Sequence, residues 1–205
     1  MDLDIIFNKR KRRMKLSIWF ILFWINFINA ADIQTDVEDI LTSEFGSNIK
    51  IYHEKFNIPV ELKTQAEKQV QQKFFKNYIH IWSICQEDSI AGIAILDNTY
   101  GKSLPITFLV IIHPSGKIQR VDIIRYREPY GGAIGSRRWL DQFIGKSANE
   151  NFEIDGEIDS ISGATISVQS VTKAIHKLLI IIDPHVSNDT IVCKQKPHQV
   201  KSNAK

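Results

Sequence analysis

The run Asp159-Ser160-Ile161-Ser162-Gly163-Ala164-Thr165 ends in a hydroxyl at the mouth of an expected helix, directly after three residues of minimal bulk. From Ile166 onward, Val168, Val171, Ile175, Leu178, Leu179 and Ile182 recur at three- and four-residue intervals and form one apolar stripe. Gln169, Thr172, Lys173, His176 and Lys177 take the other face, and Pro184 is expected to close the run. Thr165 then stands at or near the N-cap, where backbone N–H groups lack partners and the helix dipole turns its positive end outward. That environment suits a phosphate, with the N–H groups of about Ile166, Ser167 and Val168 as donors. Gly163 supplies backbone freedom, while Ser162 and Ala164 let a large group come close. Read alone, the same residues also describe an ordinary capped helix after a glycine turn.

A second segment lies upstream. Tyr126-Arg127-Glu128-Pro129-Tyr130-Gly131-Gly132 is followed by Trp139-Leu140-Asp141-Gln142-Phe143-Ile144-Gly145-Lys146. Together, Asp-x-x-Ser-Gly-Ala-Thr and these two stretches resemble the FMN-binding domain family. The first is similar to its flavinylation motif, the others to its Glu-Thr-Pro-Gly-Leu-Gly and Phe-x-x-Gln-Phe-x-Gly-Lys elements. Order and spacing agree over roughly Leu104 to Ile182. Tyr130-Gly131 stands where the family often has Gly-Leu, and Trp139 replaces a phenylalanine, as in the small exported members. The family includes the C and G subunits of sodium-pumping and Rnf-type oxidoreductases.

The resemblance implies FMN carried covalently on the Thr165 hydroxyl through a phosphoester, installed by a flavin transferase that uses FAD. It places Glu128, Gly131 and Gly132 against the flavin, with Tyr126, Tyr130 and Trp139 as candidate apolar walls. Core packing is the competing role for those aromatics. Asp159, Ser162, Gly163 and Ala164 would form the signal that the transferase reads. The competing role for Asp159 is a turn residue bonded to nearby backbone.

Composition narrows the classes. Residues 1–30 hold six Lys/Arg against Asp2 and Asp4, a net +4, so the rest of the +3 chain is 3 − 4 = −1. A near-neutral remainder gives no case for nucleic acid. Lys9 to Lys15 precede an apolar run from Leu16 to Phe20 and on through Phe23 and Trp24, which reads as an export signal cleaved after Ala30. An uncleaved anchor over residues 16–30 is the alternative, and Met14 opens a compact signal of its own. The expected location is therefore periplasmic or otherwise extracytoplasmic. Cys85 and Cys193 could form one bridge, but Cys193 lies in a polar tail and Cys85 reads better as a small core or strand-edge residue. No cysteine or histidine spacing suggests a metal site, and the six histidines read as surface or singly bonded residues.

The scaffold follows from periodicity. Ile33, Val37, Ile40, Leu41 and Phe45 fit a helix ended by Gly46, and Pro59 opens a second with Leu62, Ala66, Val70 and Phe74. Strands are expected over Ile49–Glu54, Tyr78–Cys85, Ile90–Leu96, Ile106–Ile112 and Ile118–Tyr126, with a turn at His113–Lys117. Helices flank the strands in blocks, which points to a single α+β domain with an antiparallel sheet and Thr165 at the start of the C-terminal helix. No Gly-x-Gly-x-x-Gly follows a strand, so a Rossmann site is not supported. The chain divides into the leader (1–30), an N-terminal half (31–103), an FMN-binding core (104–183) and a polar, disordered tail (184–205).

The function this implies is an exported FMN electron carrier, redox-active without being an enzyme in its own right, with donor and acceptor proteins at or near a membrane. The alternative is a non-flavinylated ligand- or partner-binding domain of the same fold. Nothing marks a catalytic acid–base pair.

Overall fold

The computed structural model describes residues 33–187 and Cys193. The expected leader over 1–30, and the expected tail apart from 184–187 and Cys193, lie outside the described residues. The described residues divide into two compact units, the first ending at Glu44 and the second beginning at Phe45. Helix α1 runs through residues 33–45 and stops at Gly46, whose φ of +82° suits glycine.

The second unit holds the sheet. Its elements in order are β1 (Lys50–Asn57), α2 (Val60–Val70), β2 (Tyr78–Gln86), β3 (Ser89–Tyr100), β4 (Pro105–Ile112), β5 (Ile118–Arg125), a 3-10 turn (Gly132–Gly135), α3 (Arg137–Leu140), a second 3-10 turn (Asp141–Phe143) and α4 (Thr165–Ser187). The five strands pair in sequence order, and every pair is antiparallel. This is the α+β class that the block pattern implies. The β4–β5 turn forms over the expected residues, with Gly116 N–H donating to His113 O and φ of +82° at Gly116. Strand β4 is buried along nearly its whole length, which explains why Ile106 to Ile112 reads as an apolar run rather than an alternation.

One face of the sheet carries the principal core. Ile79 and Ile81, Ile93 and Ile95, and Ile106, Phe108, Val110 and Ile112 pack with Val168, Val171, Ile175, Leu178, Leu179 and Ile182 of α4. The predicted stripe of α4 is therefore its buried face. Each such side chain contributes about 1.5–3 kcal/mol on leaving water, so the stripe fixes the helix over the sheet.

The expected polar face departs from the prediction. Thr172 and Lys177 are both 1% exposed. The segment after α2 covers that side of α4, so Lys177 threads beneath it: Nζ donates to Lys73 O (2.9 Å) and Gln72 Oε1 (3.2 Å) and lies 4.0 Å from the Phe74 ring centroid. Gln72 Nε2 in turn donates to Thr99 Oγ1 and to Ser170 O. Burial pushes the Lys177 ammonium down to about 8, an effect that the Asp97 carboxylate opposes.

Two further expectations are corrected. Helix α4 continues through Pro184 to Ser187. A proline in the last turn removes one donor where few intrahelical bonds remain, so it need not end the helix there. Cys85, at the end of β2, is not an unpaired core residue: it is bonded to Cys193 across 108 positions of sequence.

Candidate functional site

A cavity of about 530 Å³ opens at the N-terminal end of α4, lined by Lys102, Ser103, Glu128, Pro129, Tyr130, Gly163, Ala164, Thr165, Ile166 and Ser167. Three segments far apart in sequence meet here. They are the tip of the β3–β4 hairpin, the loop after β5, and the turn that leads into α4.

The turn into α4 ends in a helix start without a polar cap. Ala164 N–H donates to Ile161 O, Gly163 has φ of +76°, and the first intrahelical bond runs from Val168 N–H to Ala164 O (2.9 Å). Ala164 is thus the N-cap, a position usually held by Ser, Thr, Asp or Asn, whose oxygen accepts a first-turn N–H. Alanine has no such oxygen, so the N–H groups at Thr165, Ile166 and Ser167 receive no acceptor from the cap. Nothing lies within 4 Å of the place where a Cβ would stand on Gly163. First-turn donors without a capping side chain, on a 23-residue helix whose N-terminal residues line the cavity, fit an anionic phosphate.

The loop after β5 is clamped onto this turn. The Tyr126 hydroxyl donates to Tyr130 O (2.6 Å) and lies 3.4 Å from Ser167 Oγ on α4. Gly131, at φ +82°, packs directly on Ala164, and Gly132 begins the following 3-10 turn. Tyr126 therefore braces the loop, whereas Tyr130 lines the cavity and is 78% exposed. Ile166 is 47% exposed beside it. Exposed apolar side chains at a cavity of this size, within the usual range for small-molecule sites, offer surface for a planar ring. Phosphate donors at one point and apolar walls at another fit FMN.

Trp139 does not reach the cavity. It is buried against Phe143, and its Nε1–H donates to Asp159 O (2.8 Å). Gln142 Oε1 accepts Asp159 N–H (2.8 Å). The Trp139–Lys146 stretch thus secures the start of the Asp159–Thr165 motif. It is itself held on the open edge of β5, where Ile118 N–H donates to Lys146 O, Gly145 N–H to Ile118 O, and the Arg137 guanidinium to Val121 O. Asp159 and Ser162 are exposed outside the cavity lining.

Glu128 is already engaged. Its Oε1 accepts the N–H groups of Ser103 (2.6 Å) and Leu104 (2.9 Å), and these bonds, Ser103's foremost, hold its carboxyl below the usual glutamate range. The structure therefore gathers Glu128, Tyr130 and Gly163 to Ser167 around one space, with Gly131 and Gly132 just behind it. Lys102, Ser103 and Pro129 join them without a motif of their own. Only topology could have pointed to Lys102 and Ser103 from the sequence. In a sequential antiparallel sheet, the β3–β4 tip and the segment after β5 fall at the same end. Among the described residues no group of three His, Cys, Asp or Glu could hold a metal.

Residues 101–180 match the family described as "FMN-binding domain". The G subunit of the Na(+)-translocating ferredoxin:NAD(+) oxidoreductase complex of Acetobacterium woodii is 34% identical over 87 residues, covering 38% of this chain and 42% of that protein. The chain thus spans less than half the length of the curated relative it matches. The matched segment contains all three segments that line the cavity. Over residues 101–180, this chain is therefore similar to the FMN-binding domain family.

Proposed function

We propose that this chain is an exported electron carrier whose FMN is bound covalently through the Thr165 hydroxyl. The observation that carries the reading is the placement of Thr165 as the first residue of α4, on the wall of the cavity, above an alanine N-cap that leaves the first-turn donors to a ligand. When bound, the isoalloxazine supplies the redox chemistry. The chain's part is to anchor and orient. Thr165 Oγ forms a P–O bond to the FMN phosphoryl as the pyrophosphate bond of FAD breaks, AMP leaves and the hydroxyl loses its proton. The N–H groups of Ile166 and Ser167 meet the remaining phosphate charge. Tyr130, Pro129 and Ile166 would cover one side of the ring and shield it from water.

Loading calls for a flavin transferase that uses FAD. Asp159 suits recognition by such an enzyme, because its backbone is bonded to Trp139 and Gln142 while its side chain is exposed. The Cys85–Cys193 disulfide supports export, since such bonds persist in oxidising compartments. The basic, then apolar, N-terminal sequence supports it independently. The likeness to a component of a ferredoxin:NAD(+) oxidoreductase complex supports redox protein partners at or near a membrane.

The test is to produce the chain together with a flavin transferase and compare wild type with Thr165→Val. Denatured wild type should carry flavin fluorescence on a gel and a matching gain in intact mass; Thr165→Val should show neither. A wild-type chain with the mass of its amino acids alone would leave a flavin-free binding domain.

A further inference from the structure

The β3–β4 tip is locked to the loop after β5 by a fitted pair. Gly101 N–H donates to Leu104 O, closing the turn, while Glu128 Oε1 receives the Ser103 and Leu104 N–H groups. A Cβ on Gly101 would stand 2.5 Å from Glu128 Oε1, so the lock needs glycine there. Between these anchored residues sits Lys102, exposed and on the cavity wall. It is the single cationic side chain among the lining residues, and Glu128, the single anionic one, is already satisfied by backbone donors.

From this geometry we infer that Lys102 is the group that tunes the electron affinity of the bound flavin, and that Glu128 is its positioning residue. The inference rests on the FMN reading above. An oxidised isoalloxazine that takes up two electrons and one proton gains one negative charge. A fixed cation beside the ring favours that state over the oxidised one. A lysine on a free loop would spend most of its time in water, well away from the ring. The Glu128 lock holds its backbone at the cavity instead.

The experiment uses flavin-loaded wild type, Lys102→Gln, Lys102→Arg and Glu128→Ala, with occupancy fixed by intact mass and fold checked by circular dichroism. The readout is the midpoint potential, from dithionite titration with mediator dyes at low and high salt. Lys102→Gln should move the potential to more negative values, by an amount that shrinks in salt, and Lys102→Arg should restore it. Glu128→Ala, which removes the oxygen that accepts the Ser103 and Leu104 N–H groups, discriminates by sign. Loss of a nearby negative charge would by itself raise the potential, whereas release of Lys102 lowers it, so a fall is expected. An unchanged potential in Lys102→Gln overturns the inference, and an unchanged or raised one in Glu128→Ala overturns the positioning role. A wild-type chain that takes up no flavin would instead remove the FMN reading on which both depend.

Discussion

Gly131 leaves no room for a side chain against Ala164: a Cβ there would stand 2.6 Å from Ala164 Cβ and 2.9 Å from the Tyr126 hydroxyl. This close approach joins the loop after β5 to the turn that presents Thr165. Gly131→Ala must move a backbone segment and also hold a side chain at φ +82°. The expected cost is about 2–4 kcal/mol from overpacking and left-handed strain together. Urea denaturation measures it, and flavin occupancy should fall with it. Gly132→Ala is the control, because nothing lies within 4 Å of its added Cβ.

Under the proposed function, Asp159 separates flavin loading from architecture. Its contacts to Trp139 and Gln142 run through its backbone, which a substitution leaves in place. Asp159→Ala should change stability by less than about 0.5 kcal/mol, as exposed substitutions usually do, while flavin loading by the transferase drops. Thermal melting and intact mass on one preparation check both. Unchanged loading would return Asp159 to the role of a turn residue.

The Asp97 carboxyl lies on β3 and, chiefly by burial, is pushed up to about 6 from 3.8. Its Oδ2 has no hydrogen-bond partner among the described residues. A carboxyl with a higher pKa folded than unfolded contributes stability that is complete below about 3.8 and lost as pH rises through about 6. Wild type should therefore gain on Asp97→Asn as pH falls from 7 to 4, by on the order of 2–3 kcal/mol. Burial of His176, which lowers its pKa, acts in the opposite direction in both proteins and cancels in the difference. Parallel pH profiles would mean that Asp97 titrates as an ordinary carboxyl.

Reduction of Cys85–Cys193 reopens a loop of 108 residues. The expected loss is about 2–4 kcal/mol, seen as a lower melting temperature in dithiothreitol. The double variant Cys85→Ser, Cys193→Ser should melt at that lower temperature with or without reductant.

The sequence was most legible where one element decides its own structure. The period of Val168 to Ile182, the turn at Gly116 and the strands flanking it could be placed from local pattern, and the motifs led to Thr165, Glu128 and Tyr130. Legibility failed where distant segments decide. Lys177 follows helical spacing on the polar face, yet the loop after α2 buries it. Lys102 sits in an ordinary polar turn, and only the Glu128 clamp distinguishes it. Trp139 was open between ring wall and core because aromatic spacing cannot say what the indole N–H meets. The pairing of Cys85 with Cys193 was hidden for the same reason.

The sequential strand order has a kinetic consequence. Each hairpin of β2 to β5 closes over a short loop, so the sheet can assemble from local encounters with little chain entropy lost at each step. The cavity needs contacts of longer range, since its lining joins Lys102 and Glu128 to the first turn of α4. Local-first assembly of this kind predicts that Thr165 acquires its surroundings later than the strands acquire theirs.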